Sequence, residues 1–239
     1  MGKLPSVTII VLNWNGRSYL EACLHALIDQ THQPDHIILV DNGSTDDSLD
    51  LVQEQFPTVE ILQNEINLGY AGGNNSALRR LETEIGILVN PDIVVKQDWL
   101  EKLLLAIVED ETIGVAGCKL LYPGERQLQH AGGLITYPRA MPGHRGMYSR
   151  DEGQLDSLDD VDFVTGAAFA LRREMMETAG LLDEGFFMYF EDADWCARAR
   201  RCGFRVVYVP RAEAVHDESA IAVRGSPSYL RRFHGGRWR

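Results

Sequence analysis

Val7-Thr8-Ile9-Ile10-Val11-Leu12 is an unbroken apolar run of strand length, rich in β-branched residues, and Asn13, Trp14, Asn15 and Gly16 follow it at once. An apolar run bounded by turn-forming residues reads as a strand covered on both faces. Leu20, Cys23, Leu24 and Leu27 then recur at helical spacing. The same pairing continues along the chain. Residues 37–40 form a second buried strand, and Asp46 is placed to cap a helix whose inward face is Leu49, Val52 and Phe56. A third strand at 59–62 precedes a helix through Ala77, Leu78 and Leu81, and a fourth occupies 85–89. Asp98 and Glu101 have capping-box spacing ahead of a helix burying Leu100, Leu103, Leu104 and Ile107. Alternating helices and all-apolar strands predict an α/β fold with a mostly parallel sheet flanked by helices on both faces.

Beyond a strand at 115–118 the rhythm breaks. Residues 122–160 mix Gly, Pro, His, Arg and acids without a period, which suggests hairpins and a long functional loop. Helices are expected at 173–179 and 192–202, stopped by Gly180 and Gly203, with a strand at 205–209. At 239 residues, 45% of them hydrophobic and 24% charged, the chain has enough apolar material for a large core. A net charge of -12 argues against nucleic acid as a partner, because phosphate binding needs a basic footprint. Locally the balance reverses: Arg224, Arg231, Arg232, Arg237 and Arg239 share the last sixteen positions with no acid. Such a tail suits anionic headgroups or a diphosphate, and equally a plain solvated terminus. Cys23, Cys118, Cys196 and Cys202 have neither zinc-site spacing nor disulfide-scaffold density, so a reducing cytoplasmic location is expected. The apolar runs are too short to span a bilayer, and no signal-peptide pattern is present at the N-terminus.

In parallel α/β sheets ligands gather at the carboxyl ends of strands. Here those ends carry Asn13-Trp14-Asn15, Asp41-Asn42-Gly43-Ser44 and Asn90-Pro91-Asp92. All three are also ordinary turn sequences, so it is their repetition at one edge that points to a site. Asp92 is suited to a divalent cation shared with substrate phosphates, and Asp41 to a hydrogen bond from a nucleobase. Gly69 to Asn75 (GYAGGNN) reads as a glycine-rich turn before a helix, able to approach a ligand closely. It lacks the GxGxxG order of dinucleotide folds, and there is no GxxxxGK[ST] loop. Glu191, Asp192 and Asp194 follow directly on Phe186-Phe187-Met188-Tyr189-Phe190. A carboxylate walled by aromatics has its pKa raised by desolvation, which suits a general base. The alternative is structural: acids favour a helix N-terminus, and Asp194 can pair with Arg198 one turn on.

Together 7–16 (VTIIVLNWNG), 38–46 (ILVDNGSTD), 68–75 (LGYAGGNN), 88–92 (LVNPD), 162–168 (DFVTGAA) and 186–216 (FFMYFEDADWCARARRCGFRVVYVPRAEAVH) resemble family 2 glycosyltransferases, in particular the bacterial rhamnosyltransferase-like branch. The resemblance implies a GT-A fold, with a catalytic domain over 1–219 made of a nucleotide-binding half (1–118) and an acceptor half (119–219), and a basic tail at 220–239. It also implies a nucleoside-diphosphate sugar donor, a Mg or Mn ion, inversion at the anomeric carbon, and a saccharide or lipid-linked acceptor. With such an acceptor the basic tail would touch the inner membrane face. Carried over by position, Trp14 matches an aromatic near the base and Asp41 the aspartate that reads it. Asn15, Gly69 and Asn75 fall in donor-binding motifs. Asn90-Pro91-Asp92 stands where the family has DxD, making Asp92 a metal ligand and Asn90 a donor-sugar or ribose contact. His216 matches a further metal ligand, although Asp217-Glu218 follow it where relatives often have small residues. Asp192 falls on the presumed base, with Glu191 as a second candidate or orienting neighbour. Acceptor contacts are expected from 122–160, including His130, Arg139, His144 and Arg145, and from Thr165-Gly166-Ala167. Two other classes compete: a sugar-1-phosphate nucleotidyltransferase, whose glycine-rich Arg/Lys loop is missing, and a catalytically silent sugar-nucleotide-binding module, against which Asp92 and Asp192 argue.

Overall fold

The computed structural model describes residues 4–217 apart from Glu125, Tyr137, Arg139 and Ala140, so Arg139 and the basic tail lie outside the described residues. Strands β1 (Val7–Asn13), β2 (His36–Asp41), β3 (Glu60–Gln63) and β4 (Ile85–Val89) form a parallel run in the order β3-β2-β1-β4. Helices α1 (Arg17–Ile28), α2 (Ser48–Gln55) and α3 (Gly69–Leu78) connect them, and β5 (Ile93–Val95) and α4 (Trp99–Glu109) follow. Leu20, Cys23, Leu24 and Leu27 are fully buried on the sheet, as their spacing predicts. Each such leucine contributes roughly 1.5–3 kcal/mol of burial.

The second half adds β6 (Ile113–Leu121), β7 (Leu128–His130), β8 (Gly133–Thr136), β9 (Met141–His144), β10 (Asp159–Asp160), β11 (Ala168–Arg172), α5 (Arg173–Ala179), α6 (Glu191–Arg201) and β12 (Arg205–His216). Strand β11 inserts antiparallel between β4 and β6, while β12 runs parallel to β6. One mixed sheet results, in the order β10-β12-β6-β11-β4-β1-β2-β3, with β5 on β12 and β7 on β6; β8 and β9 form a separate hairpin. Helices α1, α2 and α4 bury their apolar sides against one face of it, and α3, α5 and α6 cover the other. Among the described residues no helix is long and apolar enough to cross a membrane.

Several local expectations change. No capping box forms at α4: Asp98 sits at φ -102, ψ 11, outside the extended region a cap needs, and pairs with Lys102 at 2.5 Å, while Glu101 accepts the Thr31 hydroxyl at 2.8 Å. Asp46 is not the cap of α2 either: Asp47 holds that position without a side-chain cap bond, and Asp46, one residue outside, accepts the Ser48 N–H at 3.2 Å as an Asx turn. The glycine-rich segment is the first half of α3 rather than a turn before it. A Cβ on Gly73 would lie 2.5 Å from Leu12 Cδ1, so this glycine lets the helix close onto β1. Strand β12 also continues past Pro210, which cannot donate to the ladder; a register shift between Val209 and Glu213 absorbs it. That extension turns out to place a site residue.

Gly69 is the tightest of these positions. It has φ +76, and a Cβ there would sit 2.2 Å from the Phe187 carbonyl oxygen, which accepts the Tyr70 N–H at 2.7 Å. Gly69→Ala is therefore expected to cost roughly 1–3 kcal/mol through left-handed strain and a backbone clash. Urea denaturation would measure the loss.

Candidate active site

The carboxyl ends of β1, β2 and β4 open onto a cleft of about 300 Å³, closed on the far side by β7, β9 and the start of α6. At its rim Trp14 is 36% exposed. Below Trp14, polar side chains fasten the strand ends together. Asn13 Nδ2 donates to Asp41 Oδ1 at 3.3 Å and to Ser44 Oγ at 3.1 Å, and Asp41 Oδ2 accepts the Ser44 N–H at 3.2 Å. Asp41 is thus buried behind the cleft wall, with both oxygens engaged. Asn15, at φ 53, accepts the Thr45 N–H at 2.8 Å and ties the two loops. Asn42 holds the 64–69 segment, donating to Asn67 Oδ1 and the Gly69 carbonyl and accepting from Leu68 and Asn64. Asn75 is placed away from the cleft: it bonds both the N–H and the carbonyl of Leu182, and Glu184. Gly69, Asn90 and Asp92 line the cleft; Asn15, Asp41 and Asn75 do not.

Asp92 and His216 meet because β5 and β12 pair antiparallel, with His216 opposite Ile93 and the Asp217 N–H donating to the Asp92 carbonyl at 3.0 Å. His216 Nε2 stands 3.3 Å from Asp92 Oδ1. That oxygen is buried and has no hydrogen-bond partner among the described residues. On its other side His216 Nδ1 is 2.6 Å from Gln129 Oε1. An amide oxygen only accepts, so Nδ1 is the donor in this contact, and in the neutral ring the Nε2 lone pair then faces the carboxylate. Two electron-rich atoms held together in a buried place fit a cation between them, and hard carboxylate plus neutral imidazole is a proper donor set for Mg or Mn. Among the described residues no group of three or more His, Cys, Asp or Glu converges, so substrate phosphates would have to complete the coordination.

The same cleft is lined by Glu191 and Asp192, the first two residues of α6. They follow Tyr189 and Phe190, both left-handed at φ 76 and 73. Each costs roughly 1–2 kcal/mol, strain that accumulates at functional sites. Asp192 Oδ2 accepts the Gly166 N–H at 2.8 Å and Oδ1 the Ala193 N–H at 2.7 Å. Burial pushes its pKa up, partly offset by those two N–H donors and by His144. Glu191 is pushed well above the usual carboxylate range by burial and then by the neighbouring Asp192 charge, and its Oε2 has no hydrogen-bond partner among the described residues. Asp194 pairs with Arg198 at 2.8 Å, as its spacing implies.

The Thr165-Gly166 turn links this carboxylate to a histidine pair. The Thr165 N–H donates to His130 Nε2 at 3.3 Å, and His130 Nδ1 lies 2.7 Å from His144 Nδ1. Burial holds His130 well below the ordinary histidine range, with His144, Arg145 and His216 adding to the effect. Arg145 itself turns away, paired with Asp159 at 2.8 Å and stacked over the Tyr208 ring. Gln129 and Tyr70 line the cleft without having been singled out in the sequence; Gln129 lies in the stretch without periodicity, and only its polarity between Leu128 and Ala131 marks it.

The mixed α/β sheet flanked by helices, with a cleft at its strand ends, is the GT-A fold of the glycosyltransferases it resembles. The model of the family described as glycosyl transferase family 2 matches residues 8–180, and the chain belongs to that family. It is 31% identical over 238 residues to the uncharacterised protein y4gI of Sinorhizobium fredii, covering 92% of this chain and 25% of that one. It is 28% identical over 247 residues to the N-acetylglucosaminyl-diphospho-decaprenol L-rhamnosyltransferase of Mycobacterium tuberculosis, covering 95% and 80%. Among solved structures it is similar to GalNAc-T7 with UDP, GalNAc and Mn2+, at a TM-score of 0.73 and 20% identity over 89% of this chain and 44% of that one, a likeness of fold. The chain thus spans a quarter of the first relative and less than half of GalNAc-T7.

Proposed function

We propose that the chain is an inverting glycosyltransferase that moves a hexosyl group, with rhamnose the leading candidate, from a nucleoside-diphosphate donor to a hydroxyl of a saccharide or lipid-linked saccharide. The observation that carries this reading is that Asp92 and Asp192 open onto the same cleft. Asp192 takes the acceptor hydroxyl proton as that oxygen forms its bond to the anomeric carbon; the bond from that carbon to the diphosphate oxygen breaks, and the electron pair leaves with the diphosphate. Asp92 and His216 would hold a divalent cation, which would supply positive charge for the departing diphosphate. Trp14 offers a flat apolar surface for a nucleobase, and Asp41, fastened behind it, keeps the Asn13–Ser44 loop in shape. The rhamnosyl and lipid-linked parts rest on the name of the Mycobacterium tuberculosis relative, and the cation is supported by the Mn2+ in GalNAc-T7.

A nucleotide-sugar panel tests the proposal. With Mg or Mn, one of dTDP-rhamnose, UDP- or GDP-linked sugars is expected to release nucleoside diphosphate slowly without acceptor and faster with a lipid-linked acceptor. No turnover and no thermal stabilisation by any of them would remove the reading.

A further inference from the structure

Gln129 is the residue that the sheet pushes out of register. Strand β7 pairs Leu120 with His130 but Leu121 with Leu128, so Gln129 is the extra residue of a bulge, a device that re-aims a side chain. It is aimed into the cleft, and only 4% of it is exposed. One end of its carboxamide is used: Oε1 meets His216 Nδ1 at 2.6 Å. The other end is not, for Nε2 is buried and has no hydrogen-bond partner among the described residues. A buried amide with two N–H bonds and no acceptor among the described residues is costly unless a ligand supplies one.

Resting on the transferase reading above, we propose that Gln129 works from both ends: Oε1 fixes His216 in the Nδ1–H tautomer, presenting Nε2 toward Asp92, and Nε2 donates a hydrogen bond to the diphosphate of the donor. Both roles follow from one geometry. The tautomer matters because only an unprotonated Nε2 can share a cation with Asp92 Oδ1, 3.3 Å away. The donor end matters because the phosphates that complete the coordination lie beside the same two residues, where an N–H is the complementary partner for a phosphate oxygen. Gln129 is in this sense a positioning residue for His216 and a binding residue for substrate.

Three measurements on the whole protein test it. Two-bond 15N–1H correlation spectra of the 15N-histidine-labelled protein, assigned with His216→Asn, are expected to show His216 protonated at Nδ1 and bare at Nε2; the opposite tautomer overturns the proposal. Mn2+ titration followed by electron paramagnetic resonance, with and without dTDP or UDP, separates the two ends. Gln129→Leu loses both and is expected to weaken Mn2+ binding roughly 10- to 100-fold. Gln129→Glu keeps an acceptor for Nδ1 but has no N–H, so Mn2+ alone should bind at least as tightly as in wild type while the nucleoside diphosphate binds severalfold more weakly. Should Gln129→Leu fail to fold, the tautomer and Gln129→Glu still decide. Folded variants that bind both ligands within twofold of wild type overturn the proposal and leave the transferase reading standing, whereas a wild-type protein that binds neither Mn2+ nor any nucleoside diphosphate overturns both.

Discussion

Asp192→Asn is expected to fold, to bind the donor nucleotide as wild type does, and to lose roughly 10²- to 10⁴-fold in kcat, the range a positioned general base supplies. Folding should survive because the amide oxygen can still accept one of the two N–H bonds, from Gly166 or Ala193, that the carboxylate accepts. Donor binding should survive because Asp92 pairs with His216, whereas Asp192 is held by the Gly166 and Ala193 N–H groups. The acid limb of the wild-type profile carries a second sign. A base works only when deprotonated, and burial raises the Asp192 pKa, so activity should begin to fall at a pH above the ordinary aspartate range as acid is added. His144 pulls the other way, since positive charge on that ring favours the carboxylate. His144→Ala should therefore move the acid limb further up. Measured kcat against pH for wild type and both variants checks the set; wild-type turnover by Asp192→Asn would refute the base assignment.

Which parts of this were legible in the residues follows from how local each cause is. The four parallel strands and the inward faces of α1 and α4 were readable because apolar runs and helical spacing are local patterns, and Leu20, Leu24, Leu100 and Leu104 are all fully buried. The Asp194–Arg198 pair was readable for the same reason, being one helical turn. Strand β11 was not: Ala168 to Arg172 has no alternation to separate it from the turn before it and the helix after it, and only the gap between β4 and β6 makes it a strand. The Asp98–Glu101 pattern misled because the surface offered each acid another partner, Lys102 and Thr31. In the site, side chains at strand ends announce themselves by type but not by direction. Asp41 and Asn75 carry the chemistry of ligand contacts and are spent on Ser44 and Leu182, while Gln129, in a segment with no period, faces the cleft because of a bulge.

Local pattern also gives no hint that Asp92 and His216 are neighbours; the β5–β12 pairing beyond Pro210 does that, and it yields the second large effect. Asp92→Asn should separate stability from function. Without a cation, the wild-type carboxylate stands 3.3 Å from His216 Nε2, which in the Nδ1–H tautomer offers it no proton, and among the described residues its Oδ1 has no hydrogen-bond partner. An asparagine amide can donate to that nitrogen, so the ligand-free variant should be at least as stable as wild type, by up to about 1 kcal/mol. Its response to ligand should vanish. At a hundred times the dissociation constant, Mn2+ with a nucleoside diphosphate should stabilise wild type by about 2.7 kcal/mol, raising Tm by roughly 5–10 °C for a chain of this size. The same mixture should leave Asp92→Asn almost unmoved, and kcat/KM should drop by on the order of 10²-fold or more as the charge that steadies the leaving diphosphate is lost. Such a trade of stability against activity is what a site strained for its ligand produces. Differential scanning of both proteins, with and without Mn2+ and dTDP or UDP, provides the check: a variant that melts lower than wild type without ligand yet gains as much from Mn2+ would mean that Asp92 is a structural acid and that the cation, if any, sits elsewhere.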